Sequence, residues 1–298
     1  MDESILKILL VYILQVASAI LKYEAPETSF LHQHFLQCIQ NITSTHFKPW
    51  HLVAVETPFM WKNAGTYQAY LSLLDVQHEF EDALIGLLSS HQVFLYGHSD
   101  DLESRNKTLL KPDAVVLLLN RGVFTRRDQL NLLQFMMMRL RTNAWNTEAK
   151  YLVISLDTFQ TKQEHDSFLF KAFQYIRFYL RVVNVIVLIP TFADTTNRSD
   201  KSLDISVHTW FPFGKPGQCC GYVAEVNLIN VWESRKGQFK WGSDVFPSKE
   251  KTDFNGCNIL VKVRFGAPTA MIVDINGNNK LSGTDVLVME TAAKYSNL

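Results

Sequence analysis

"DAVVLLLN", residues Asp113–Asn120, is a continuous apolar run with the length of one β-strand. Strands with one solvated face alternate apolar and polar residues, whereas this run has valine and leucine at consecutive positions. Further runs of the same kind occur at Trp50–Glu56, Gln92–Gly97, Lys150–Leu156 and Arg181–Pro190. Together they predict a parallel sheet that is buried on both faces.

Segments of helical period separate these strands. Helices are predicted over Ser29–Asn41, over Tyr67–Leu88 with an interruption, and after Thr125, which has a capping-box partner in Asp128. A fourth helix carries apolar residues on one face, namely Phe168, Leu169, Ala172, Phe173 and Ile176. This alternation of strands and helices predicts an α/β fold, with a layered, mostly parallel sheet.

The character of the sequence changes after Asn197. Residues 201–254 are rich in strand formers that glycine and proline interrupt, and they end in a polar connector. Residues 255–298 begin a new strand pattern and continue into a helix that opens after Gly283. We therefore predict an α/β domain over 20–200, a strand-rich region with a connector over 201–254, and the start of another domain over 255–298. A strand, a loop and one helix cannot bury a core, so this last domain is expected to be incomplete.

The N-terminus predicts a signal peptide over residues 1–19. A short polar start is followed by the apolar run Ile8–Val16 and by the small-x-small pattern Ala17-Ser18-Ala19. The apolar run is too short to cross roughly 30 Å of hydrocarbon, which favours a cleaved signal over an anchor. The alternative is a buried first helix.

Sequons for N-glycosylation occur at Asn41, Asn106 and Asn197. All of them lie in polar contexts that predict loops, as glycosylation requires. If the signal peptide directs the chain into the secretory pathway, these asparagines are its expected glycosylation sites.

The cysteines are Cys38, Cys219, Cys220 and Cys257, an even number that allows several disulfide pairings. A bond between the adjacent Cys219 and Cys220 would be strained, so a bridge from one of them to a distant cysteine is expected. Cys257 opens a predicted strand, and the polar connector would let it return to Cys219 or Cys220. Cys38 would then pair with the remaining cysteine or stay buried as a small hydrophobe.

Charge and motifs argue against several classes of function. The 29 basic and 29 acidic residues are scattered, so neither a nucleic acid nor an anionic membrane surface is predicted as a partner. Ser99 follows a strand as in a nucleophile elbow, but Asp101 replaces the second glycine of that motif. The histidines lack the spacing of a helical zinc pair, and no glycine-rich phosphate loop follows a strand. We predict no enzyme activity, no catalytic residue and no cofactor.

"DINGNNKLSGTD", Asp274–Asp285, has oxygen-bearing residues at several positions where a calcium loop needs ligands. Its sixth position is Asn279 where the sharp turn needs glycine, and its last position is the shorter acid Asp285. The segment before it has a strand pattern where a calcium loop follows a helix. Asn276-Gly277 is instead a strong hairpin-turn signal. We predict no metal here, and a surface turn that joins a strand to a helix.

Three stretches resemble insect chemosensory ionotropic receptors, which are divergent relatives of ionotropic glutamate receptors. They are Ser206–Glu233, Asp253–Val273 and Leu281–Leu298. The family has an aromatic-proline stretch, a "CCG", a cysteine-led strand and a helix, which here are Trp210–Pro212, Cys219–Gly221, Asn255–Cys257 and Ala292–Leu298. The match covers roughly Ser206–Leu298, and the earlier part agrees in architecture only.

The resemblance implies a periplasmic-binding-protein-like extracellular domain followed by the truncated start of a bilobed ligand-binding domain. It implies the extracellular portion of a chemosensory ligand-gated cation channel subunit that detects odorants or tastants, on the extracellular side of the plasma membrane. The implied partners are a small-molecule ligand and co-receptor subunits in a hetero-oligomeric, tetrameric channel. The pore and the membrane contact would come from segments beyond Leu298.

The ligand-binding residues that the resemblance implies are Phe265, Ala267 and Thr269, which surround a proline position of the family. Glutamate-binding relatives usually carry an acid just before that proline, whereas this chain has Gly266 and Ala267. An amino-acid ligand is therefore not implied. The alternatives are a secreted α/β small-molecule binding protein without a channel and, disfavoured by the incomplete motifs, a secreted hydrolase.

Overall fold

A computed structural model of the chain describes residues 26–57, 79–96, 111–119, 126–159, 161–191, 204–212, 222–249, 266–275 and 278–296. The main strands are β1 (Leu52–Glu56), β2 (Gln92–Tyr96), β3 (Ala114–Leu119), β4 (Lys150–Ser155), β5 (Val185–Pro190), β6 (Ile205–Thr209), β7 (Asn227–Glu233) and β8 (Gln238–Phe239). They form one sheet in the order β2-β1-β3-β4-β5-β6-β7-β8. The strands β1 to β5 are parallel, as the continuous apolar runs predict.

The helices are α1 (Pro26–His46), α2 (79–87), α3 (Arg126–Asn143), α4 (Lys162–Leu180) and α5 (Thr284–Tyr295). A 3-10 turn, Leu88–Ser90, follows α2. The helix predicted over Ser29–Asn41 is longer in the structure because buried side chains continue the inner face of α1 as far as Ile42, and Phe47 packs just after it. Most of the predicted segment Tyr67–Leu88 and the predicted cap Thr125 lie outside the described residues.

Helices α1 to α4 cover both faces of the sheet. One core joins α3 and α4 to residues such as Val115 and Val153, and the other joins α1 and α2 to residues such as Val116 and Ile154. Every residue of β3 and of β5 is buried. The predicted layered α/β arrangement is therefore present, with a mostly parallel sheet between two helical layers.

Helix α4 shows how local sequence sets the boundaries of one element. Thr161 accepts a hydrogen bond from the Glu164 backbone N–H, and the Glu164 carboxylate accepts one from the Thr161 N–H. The apolar residues that the sequence assigned to one face are buried. The helix ends at Arg181, whose φ of 55° is left-handed. Because that cap is followed by a loop, β5 begins at Val185 and not at Arg181 as predicted.

The strands β6, β7 and β8 extend the same sheet in the antiparallel sense. The predicted boundary at 200/201 therefore falls within one sheet. In strand β7, partly buried positions alternate with Leu228, which is exposed, and with Asn230 and Trp232, which are buried, whereas β5 is buried throughout. The change of sequence character after Asn197 leads into this antiparallel part of the sheet, where the short β8 pairs with the outer side of β7.

Residues 271–295 contain a hairpin of β9 (Met271–Ile275) and β10 (Asn278–Ser282), followed by α5. Ile275 pairs with Asn278, which places the connection at Asn276-Gly277 and confirms the hairpin signal. The prediction of one surface turn over Asp274–Asp285 is wrong, because that segment contains β10 and the first turn of α5. Helix α5 begins after Gly283 as predicted.

Candidate functional site

Two of the ligand-binding residues that the resemblance implies, Ala267 and Thr269, lie in one turn. Gly266 and Ala270 form an isolated antiparallel bridge, and the turn between them exposes Ala267 and Thr269. The Thr269 hydroxyl donates to the Gly266 carbonyl oxygen at 2.6 Å, so its proton is used within the turn. Phe265 lies outside the described residues.

This turn is fixed to the start of α5 through the backbone. The N–H groups of Thr284 and Asp285 donate to the carbonyl oxygens of Pro268 at 3.2 Å and Thr269 at 3.0 Å. A Cβ on Gly283 would lie 2.4 Å from the Thr269 oxygen, and Gly283 has φ +129°, so only glycine fits there. The first N–H groups of α5 thus have acceptors within the chain, and these hydrogen bonds hold the turn that carries Ala267 and Thr269.

A second candidate site lies at the carboxyl end of β1. Strand β2 lies on one side of β1 and β3 lies on the other, so the strand order reverses at β1. In open α/β sheets, ligands bind just outside the carboxyl ends of the strands at such a reversal. Glu56 ends β1 at this point, is fully buried, and its Oε1 contacts Nη2 of Arg139 of α3. Nη2 of Arg139 also donates to the Thr57 carbonyl oxygen at 3.3 Å.

Burial makes Glu56 an unusual acid. It raises the pKa of the Glu56 carboxyl to about 8, although the Arg139 guanidinium acts in the opposite direction. Oε2 of Glu56 and Nε of Arg139 are buried without a hydrogen-bond partner among the described residues. The group can therefore hold or release a proton near neutral pH. The sequence carries a signal for it, an acid that closes an apolar run, but nothing local points to Arg139.

A groove of about 640 Å³ lies between α3 and α4. Leu130 and Phe168 provide apolar surface, and the polar groups of Asn131, Ser167 and Lys171 also line it. A volume of this size, with a few polar groups beside apolar surface, matches the general form of small-molecule sites. Local sequence patterns do not predict this groove, because its lining comes from two separate helices.

A buried pair of imidazoles lies between α4 and β6. The ring centroids of His165 and His208 are 5.4 Å apart, and Nδ1 of His165 is 3.0 Å from a carboxylate oxygen of Asp166. Burial, and then the neighbouring His165, lower the pKa of His208 to about 3, so its ring is neutral. Among the described residues, no group of three or more His, Cys, Asp or Glu side chains is placed to hold a metal ion.

The sequon at Asn41 lies within α1, so the loop context predicted for it is wrong. The helix continues because its inner face remains buried, and Thr43 of the sequon is only 4% exposed. Cys38 is a buried, free thiol, which is the arrangement of the small-hydrophobe alternative. The sequons at Asn106 and Asn197 lie outside the described residues, as do the other cysteines, Cys219, Cys220 and Cys257.

No protein-family model, curated protein or solved structure matches the chain. Within the described ranges, no helix has both the length and the apolar character needed to span a membrane. The fold and these sites define the chain as a layered α/β protein with a polar, buried group at the reversal of its parallel sheet.

Proposed function

We propose that the chain is the extracellular portion of a chemosensory ligand-gated cation channel subunit. The spaced match from Ser206 to Leu298 carries this proposal. The order of the elements supports it, because a layered α/β region is followed by a hairpin and a helix at the position where the family begins its ligand-binding domain. In this proposal the pore segments follow Leu298, and co-receptor subunits complete a tetrameric channel.

The proposed ligand is a small molecule. Ala267 and Thr269 are exposed on a turn whose backbone is held by α5, which suits a residue pair that must keep its position while a ligand binds. Closure of a bilobed domain around such a ligand would supply the free energy that opens the pore. The side chain at position 267 is a methyl group, so this turn offers little charge to the ligand.

Secretion of the chain tests this proposal. Protein from insect cells should begin after Ala19 and carry N-glycans at two or more sequons, as measured by intact-mass and peptide mass spectrometry. Because Asn41 is half-buried in α1, we expect Asn106 and Asn197 to carry them. A chain that retains Met1 and has no glycan would be cytosolic, and the receptor proposal would fail.

A second candidate is a secreted α/β binding protein without a channel. The groove between α3 and α4 favours it, since that groove needs no other domain in order to bind a ligand. Sequencing the transcript beyond Leu298 separates the two candidates. Apolar spans of about 20 residues would support the channel subunit, and a stop codon would support the binding protein.

A further inference from the structure

The amine of Lys249 has an unusual set of partners. Nζ lies 2.8 Å from the carbonyl oxygen of Val183 and 2.6 Å from Oγ1 of Thr209. The Thr209 hydroxyl donates its own proton to the Val185 carbonyl oxygen at 2.6 Å. Oγ1 of Thr209 is therefore an acceptor toward Lys249, and Nζ donates to two uncharged oxygens.

These partners can hold a neutral amine. A neutral amine has two N–H groups, which these two oxygens accept, and it keeps a lone pair. The ring of Phe211, whose centroid is 5.7 Å from Nζ, lies within the range of a cation–π contact but carries no net charge that would pair with an ammonium ion. In the part of the chain that the structure describes, no carboxylate pairs with Lys249, and burial alone lowers its pKa to about 7.

We propose that Lys249 is a site of reversible imine formation with small aldehydes. The lone pair of Nζ adds to the carbonyl carbon, a proton moves from nitrogen to oxygen, and the adduct loses water to leave a carbon–nitrogen double bond. The Lys249 residue is partly exposed, so a small carbonyl compound can approach it. Desolvation in an apolar site is one of the ways in which proteins activate a lysine to form such bonds.

Reductive labelling tests the proposal. The folded chain is treated briefly with propanal and cyanoborohydride at pH 7, so that hydride converts each imine to a propyl amine, and peptide mass spectrometry gives the rate at each lysine. Lys240 is the internal reference, since its side chain is exposed. An ordinary lysine with a pKa of about 10.4 is neutral in roughly one molecule in 2,500 at pH 7, against about half for Lys249. Reduced access and nucleophilicity lower this advantage, and we expect Lys249 to react at least tenfold faster.

Two controls make the result decisive. Lys249→Arg should remove the fast label, which assigns it to position 249 and not to the nearby Lys251. In guanidinium the two rates should become equal, because the unfolded chain has no desolvated amine. The deciding quantity is the labelling rate of Lys249 divided by that of Lys240. The proposal is overturned if this ratio is no larger in the folded chain than in guanidinium. It is supported if the ratio is larger in the folded chain and the excess disappears on unfolding. This outcome is independent of whether the chain belongs to a channel.

Discussion

Glu56→Gln tests whether the acid at the end of β1 is held in its neutral form. Glutamine has the shape of a protonated glutamic acid and keeps an oxygen toward Arg139. Burial raises the pKa of Glu56 from 4.5 to about 8, so the folded chain at pH 7 holds a proton that the unfolded chain has released. One pKa unit corresponds to about 1.4 kcal/mol. The raised pKa of Glu56 therefore lowers the free energy of unfolding of the native chain at pH 7 by up to about 3 kcal/mol. The substitution removes that cost.

The sign of the effect sets its pH dependence. A carboxyl group with a raised pKa favours the folded state at low pH, and its contribution is lost as the pH rises from 4.5 through about 8. The stability gained by Glu56→Gln should therefore be small at pH 4, grow through the neutral range, and level off above about pH 8.

Urea unfolding followed by tryptophan fluorescence measures this gain at each pH. Glu148→Gln is the matched control, since Glu148 is exposed and the same change of charge there should alter the free energy of unfolding very little. The reasoning is refuted if Glu56→Gln is less stable than the native chain at pH 7. In that case the ionised carboxylate, paired with Arg139, would contribute more than its burial costs.

Three further measurements test other parts of the structure. Burial lowers the pKa of His208 from 6.5 to about 3, so the stability that the neutral ring contributes above pH 6.5 should be lost as the pH falls toward 3. His208→Gln should therefore flatten this part of the plot of unfolding free energy against pH, measured by circular dichroism. An unchanged plot would contradict the neutral ring. Gly283→Ala places a Cβ 2.4 Å from the Thr269 carbonyl oxygen and should destabilise the β9–α5 unit by about 1–3 kcal/mol. Limited proteolysis should then cut faster within residues 271–295. An unchanged rate of cleavage would contradict the tight contact. Non-reducing peptide mapping should recover Cys257 bonded to Cys219 or Cys220, a bridge expected to stabilise the chain by about 3–4 kcal/mol, and a free Cys257 thiol would rule it out.

The sheet was predictable because its signal is local. Five consecutive apolar runs each contain enough valine, isoleucine and leucine to specify a strand without reference to the rest of the chain. The hairpin at Asn276-Gly277 was predictable for the same reason, since its turn chemistry lies in two adjacent residues. Boundaries were less accurate where a backbone feature decides them, as at Arg181, whose left-handed cap delays the start of β5.

The antiparallel part of the sheet, β6 to β8, lies in a region that was predicted to be rich in strands, but its pairing with β5 was not predictable in this way. Glycine and proline interrupt the sequence between β6 and β7, and they indicate a break without indicating what the next strand will pair with. The hydrogen bonds of Ser206 to the Ile189 carbonyl oxygen and of Thr209 to the Val185 carbonyl oxygen join β6 to β5. Both side chains are short, polar and buried, and their residue types alone do not indicate these partners.

The candidate sites differ from the sheet because each depends on a partner that is distant along the chain. Glu56 closes an apolar strand, and a glutamate at such a position is a detectable signal of a buried acid. Its chemistry follows from Arg139 and from the cover that α3 provides, neither of which the surrounding sequence specifies. Lys249 is similar, because its uncharged partners are Val183, which lies just before β5, and Thr209, which ends β6. Apolar burial is the property that strand patterns do predict, and it shifts the pKa values of both groups toward neutral pH. A polar residue at the edge of a predicted core is therefore the most informative place to look for reactivity in a sequence of this kind.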